Sequence, residues 1–106
     1  MISVYGSSGF VGSRFCNLYP DFVLKQGREE RKPRSKDILY LISTVDNYNI
    51  HSNITLDVET NLKVLCEVLD HCRDNEITFN FISSWFVYGE SDLPAKEDYH
   101  CNPTGF

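Results

Sequence analysis

The sequence lacks any apolar run long enough to cross a bilayer, and it lacks the basic, apolar and small-residue regions of a signal peptide. A cytoplasmic protein is therefore expected. Its four cysteines (Cys16, Cys66, Cys72 and Cys101) include no Cys-x-x-Cys pair, which argues against a disulfide framework or a closely spaced zinc site and suits reduced thiols. His71-Cys72 and His100-Cys101 are adjacent pairs in separate segments, without the spacing of a structural metal site, so no metal is expected. Positive charge is also scarce. Ten Lys and Arg stand against fifteen Asp and Glu, a net charge of −5, which excludes nucleic acid or an anionic membrane as the main partner. The last absence is local: between Lys25 and Asp37 there is no aliphatic, aromatic or cysteine side chain. Such a stretch is expected to be an exposed loop, and with six basic and two acidic residues in 25–36 it carries +4, leaving −9 on the remainder.

What is present is enough for one domain. Among the 106 residues, 42% are hydrophobic and 24% charged, the balance of a folded globular chain. Ile2 to Tyr5 reads as a short buried strand. Val11, Phe15 and Leu18 then fall at helical spacing from about Gly9 to Tyr19, ahead of Pro20. Phe22-Val23-Leu24 predicts a second strand, and the continuous run Ile38 to Ile42 a third, covered on both faces. Beyond an asparagine-rich loop, Val58, Leu62, Leu65, Leu69 and Cys72 step by four and three, predicting the buried face of a helix from about Ile54 to Asn75. Glu59, Lys63 and Glu67 would form its solvent face. Ile77 to Ile82 predicts a fourth strand, with an unpaired apolar edge open to self-association. This order predicts an open parallel α/β sheet of about four strands with flanking helices, which binds ligands beyond the carboxyl ends of its strands.

The stretch "VYGSSGFVGS" puts Gly6, Gly9 and Gly12 between the first strand and the first helix. In that context the first glycine allows a tight turn, the second lets the backbone approach a pyrophosphate, and the third permits close packing of helix on strand. The unpaired amides of a helix start favour an anion, so Gly6, Ser8, Gly9, Phe10, Val11 and Gly12 are candidate dinucleotide contacts. No Lys-Ser/Thr ending of a triphosphate loop is present.

Four stretches carry a family resemblance: "GSSGFVGS", "DILYLIST", "LDVETNLKVLCEVL" and "FNFISSWFVYGE", with "NPTGF" after them. Together the chain resembles the N-terminal part of the NAD-dependent epimerase/dehydratase family, the extended short-chain dehydrogenase/reductases that act on nucleotide sugars. The resemblance implies a Rossmann-like, NAD(P)-binding domain over 1–106, truncated relative to the family and without the substrate domain. It implies that the end of "DILYLIST", Ile42 and Ser43, passes beside the nicotinamide-side ribose. It also implies that Ser84, five positions before the glycine of Val-Tyr-Gly, hydrogen-bonds the reacting sugar hydroxyl or carbonyl. A hydroxyl can both donate to an oxyanion and accept from an alcohol, which suits hydride transfer in either direction.

The departures from the family pattern are as informative. Trp85 and Phe86 stand where the sugar 4,6-dehydratases carry an acid pair, which favours an epimerase or reductase relative, although both rings could equally be packing residues. At the end of the second strand, where NAD sites place an acid, the chain has Lys25-Gln26-Gly27-Arg28. Arg28, then Lys25 or Arg31, could hold the 2′-phosphate of NADP, while Glu29 and Glu30 oppose it, leaving NAD and NADP both open. The polar gap leaves no room for the family's third strand, and Asp57 replaces a helix asparagine. Neither Tyr88 nor Tyr99 is followed by lysine four positions later, so the family's Tyr-x-x-x-Lys acid/base pair is missing. Two functions remain: the coenzyme-binding portion of a nucleotide-sugar epimerase or reductase, inactive alone, or a non-catalytic nucleotide-sensing or interaction module.

Overall fold

The computed structural model describes residues 1–44, 52–89 and 94–103. Strand β1 (Ile2–Tyr5) runs into helix α1 (Phe10–Leu18), then strand β2 (Val23–Lys25) and strand β3 (Asp37–Tyr40). A long helical segment follows, made of α2 (Ile54–Asp57), a π-helical turn (Val58–Lys63) and α3 (Val64–Cys72). Strand β4 (Thr78–Phe81) and a 3₁₀ turn (Trp85–Tyr88) complete the elements. The asparagine-rich segment after β3 and the residues after Pro103, where the resemblance expects the approach to a catalytic tyrosine, lie mostly or wholly outside the described residues.

All four strands are parallel, in the order β2-β1-β3-β4, as the alternation of short apolar runs and helices predicts. Order reverses between β1 and β3, with Tyr5 registered on Tyr40, so the crevice expected of an open parallel sheet opens beyond these two residues. Period-two alternation divides the core. Val4, Cys16 and Val23 are buried together with Phe15, Leu39 and Leu41 on the α1 side. Tyr5, Ile38, Tyr40 and Val68 are buried together with Leu65, Cys72 and Phe79 on the α3 side.

Two expectations need correction. First, the 25–37 stretch is without regular structure, as expected, but it is not simply a solvated loop. Gln26 is buried, donating to the Lys32 carbonyl at 3.0 Å and accepting from Arg34 Nε at 2.9 Å. Tyr5 donates its hydroxyl to the Arg31 carbonyl at 2.7 Å, and buried Ser3 accepts from the Arg34 amide at 3.1 Å. Polar residues thus lay the loop over the Ser3 and Tyr5 face of β1, beside the α3-side core. Hydrogen bonds do here what side-chain volume does elsewhere.

Second, the predicted face of the long helix is right only in part. Val58, Leu62 and Leu69 are exposed, whereas Val68 is fully buried with Leu65 and Cys72 beside it. The buried face is centred on Val68, one position round the helix from the predicted stripe, so Leu65 and Cys72 are covered while Val58, Leu62 and Leu69 fall on its exposed margin. The helix also ends at Cys72, three residues earlier than predicted.

Candidate functional site

The site grows from the first turn after β1. Gly6 has φ +80, a conformation that favours glycine, and a Cβ there would sit 3.0 Å from the Leu41 carbonyl carbon where β3 exits. Gly12 is buried, and a Cβ on it would fall 2.1 Å from the Gly6 carbonyl oxygen. These two glycines let helix and sheet close up. Gly9 differs: it is exposed, extended in backbone and bordered only by the Gly6 carbonyl at 3.3 Å from an added Cβ.

At the start of α1 no side chain caps the helix, and its first turn holds no acid. Gly9 donates to the Gly6 carbonyl at 3.1 Å and Ser13 to the Gly9 carbonyl at 2.8 Å. Among the described residues, the amides of Phe10, Val11 and Gly12 between them find no acceptor. Three donors at the positive end of a helix dipole are thus left for an external anion.

These amides open onto a cleft of about 750 Å³. Its walls bring together most of the residues that the sequence picks out: Gly6, Ser8, Gly9, Phe10, Val11 and Gly12 from the turn, Arg28 from beyond β2, and Ile42 and Ser43 from beyond β3. Two predicted residues are not among its walls. Lys25 is exposed at the end of β2, its carbonyl accepting from Arg34 Nη2. Ser84 is exposed and serves as the cap of the 3₁₀ turn, its Oγ accepting from the Phe86 amide at 3.3 Å.

The remaining wall is one that sequence reasoning assigned to water. Glu59, Lys63 and Glu67 face the cleft with Leu56, Thr60 and Val64, on the side of the helix opposite its exposed apolar stripe. Their i, i+4 spacing was the available signal, and only the tertiary context tells a cleft wall from a solvent face. Glu67 Oε2 accepts from Arg31 Nε at 2.6 Å, and this guanidinium holds the Glu67 carboxyl below its usual range. Of the loop acids, Glu30 turns back to accept from the Gly27 amide at 2.7 Å, with Arg34 Nε at 3.9 Å, while Glu29 stays at the cleft. Arg28 has no side-chain hydrogen bond or ion pair among the described residues.

Asp57, which stands in place of the family's helix asparagine, bonds at the exit of β3. Its Oδ1 accepts from Thr44 Oγ1, and Asn61 exchanges hydrogen bonds with the Thr44 amide and hydroxyl, both at 2.8 Å. This cluster ties the exit of β3 to the helix and so fixes one lip of the cleft.

No protein-family model matches the chain, and no curated protein matches it in sequence. Among solved structures it is similar to RMD from Pseudomonas aeruginosa, a structure determined in complex with NADPH, with a TM-score of 0.77 at 19% identity. The chain has a Rossmann-like fold. The similarity covers 97% of this chain and 42% of the neighbour, so the chain spans well under half of that protein's length. Among the described residues, no helix is long and apolar enough to cross a membrane.

Proposed function

We propose that the cleft binds a nicotinamide dinucleotide, with its diphosphate on the amides of Phe10, Val11 and Gly12. The observation that carries this reading is those three unpartnered amides beside the bare edge of Gly9, at the point where strand order reverses. The residues fit the group: the donors are there, and no side chain on Gly9 stands in the approach.

NADP(H) suits the cleft better than NAD(H). Gln26, at the end of β2, spends its side chain on Lys32 and Arg34, and Glu30 is engaged by Gly27. The strand-end position itself thus offers no carboxylate to a 2′-hydroxyl, and Glu29 lies three residues further along the cleft with Arg31 Nη2 at 4.0 Å. Arg28, which has no side-chain partner among the described residues, offers its guanidinium to a 2′-phosphate. That the structural neighbour is bound to NADPH supports the same choice. Ile42 and Ser43 would flank the nicotinamide-side ribose.

In this reading residues 1–106 supply the coenzyme-binding part of a nucleotide-sugar epimerase or reductase, and Ser84, outside the cleft walls, would meet the sugar. The 106 residues contain no Tyr-x-x-x-Lys, so hydride transfer by them alone is not expected. The test is titration with NADPH and NADH, followed by fluorescence or calorimetry, on wild type and Gly9→Val. A Cβ at position 9 approaches only the Gly6 carbonyl, at 3.3 Å, so a small local shift should keep the fold while the diphosphate is blocked, and circular dichroism of the variant checks that it does. Affinity should fall at least about tenfold, the scale of one or two lost charge-assisted contacts. Equal affinity in both proteins would refute the site.

A further inference from the structure

The loop that carries Arg28 has no regular structure of its own, and part of what holds its shape lies across the cleft. Glu67, on α3, accepts from Arg31 Nε at 2.6 Å over 36 positions of sequence. The same guanidinium donates through Nη1 to the Arg28 carbonyl at 2.7 Å and places Nη2 4.0 Å from Glu29. At its other end, the Arg31 carbonyl accepts from Tyr5. A planar fork fixed on one side by a carboxylate and gripping a backbone carbonyl on the other is a rigid link. It joins the helix wall to the backbone of the one cleft arginine whose own side chain is uncommitted.

We infer that Glu67 is a positioning residue for coenzyme selectivity: through Arg31 it fixes the backbone at Arg28 and so presents that guanidinium to a 2′-phosphate. This rests on the proposed coenzyme site. Without Glu67, Arg31 has no anchor on the helix and the Arg28 carbonyl loses an oriented donor. The loop then has to be ordered when the phosphate binds, which weakens binding of the coenzyme that needs it and spares the one that does not. Removing a negative charge from the cleft also strengthens attraction for any diphosphate. That effect is larger for NADPH, which carries the additional phosphate, so it works against the expected fall in preference and cannot produce it.

The experiment measures dissociation constants for NADPH and NADH with wild type, Glu67→Ala, Glu67→Gln, Arg31→Met and the Glu67→Ala/Arg31→Met pair. In Glu67→Ala the NADPH-over-NADH preference should fall about fivefold or more, with NADH affinity changed less than about twofold, the size of coupling expected within one hydrogen-bonded network. Glu67→Gln should retain part of the preference, because its amide oxygen still accepts from Nε. Adding Glu67→Ala to Arg31→Met should cost nothing further. An unchanged ratio, an equal loss of both coenzymes, or tighter NADPH binding by a released Arg31 would each overturn the inference while leaving the coenzyme site standing. Wild type that binds both coenzymes equally would overturn the 2′-phosphate assignment and this inference together, and wild type that binds neither would remove the site itself. Retained NADH affinity in the variants reports that they are folded.

Discussion

Tyr5 and Tyr40 lie on neighbouring strands with ring centroids 5.8 Å apart, each 1% exposed, and differ in what the hydroxyl meets. Tyr5 donates to the Arg31 carbonyl, whereas the buried Tyr40 hydroxyl has no hydrogen-bond partner among the described residues. Tyr5→Phe should therefore cost about 1 kcal/mol in urea unfolding at neutral pH, and Tyr40→Phe should be neutral or stabilising by up to about 1 kcal/mol. Equal losses would contradict the assignment. Burial pushes both phenols up, that of Tyr5 to about 12, with the neighbouring Cys72 adding to the effect. A raised acid binds its proton more tightly when folded than when unfolded. The associated stability is fully present below pH 10 and is lost as pH climbs from 10 towards 12. Urea midpoints measured over this range should decline less steeply in Tyr5→Phe than in wild type; parallel declines would show that Tyr5 is not responsible.

The long helical segment shows, at the scale of an element, what a sequence pattern can and cannot carry. The existence of this helix, of α1 and of the four strands was legible from periodicity, and the glycine turn from its place between β1 and α1. The orientation of the helix was legible only in part, because apolar residues occupy both the core face (Leu65, Val68, Cys72) and the exposed margin (Val58, Leu62, Leu69), and periodicity does not say which of them is covered. The cost fell on the candidate site, where Glu59, Lys63 and Glu67 were read as solvent-facing although they form one wall of the cleft. The 25–37 loop is exposed over most of its length, as its polarity signals, but its anchor was not legible: Gln26 and Ser3 are both buried and both bonded to Arg34, a contact that only the tertiary structure creates. The corrected face is directly testable. Val68→Ala should destabilise by about 2 kcal/mol, since it opens a void in the α3-side core, while Leu62→Ala should stay within about 0.5 kcal/mol. Thermal unfolding in which Leu62 proves the costlier position would restore the face predicted from periodicity.

On the scale of the whole molecule, the two edges of the sheet are treated differently. The β2 edge is three residues long and ends in Lys25, whose outward carbonyl is taken by the Arg34 guanidinium of the overlying loop. Short length, a terminal lysine and a covering loop all discourage a further strand from pairing there. The β4 edge has no such protection. Thr78 turns its amide inward to the Lys36 carbonyl, which leaves the amides of Phe79 and Phe81 facing outward with no acceptor among the described residues. Phe81 and Ile82 are 55% and 60% exposed beside them. An unpaired row of donors flanked by apolar side chains is a template for another strand, so self-association should run through β4 and not through β2. Sedimentation velocity across a concentration series should show a reversible shift to larger species in wild type. Thr78→Lys, which places a charge on the exposed margin of that strand without touching the Tyr40–Phe81 stack, should suppress the shift and leave the unfolding midpoint within about 0.5 kcal/mol. Association that persists undiminished in Thr78→Lys would place the contact elsewhere on the molecule.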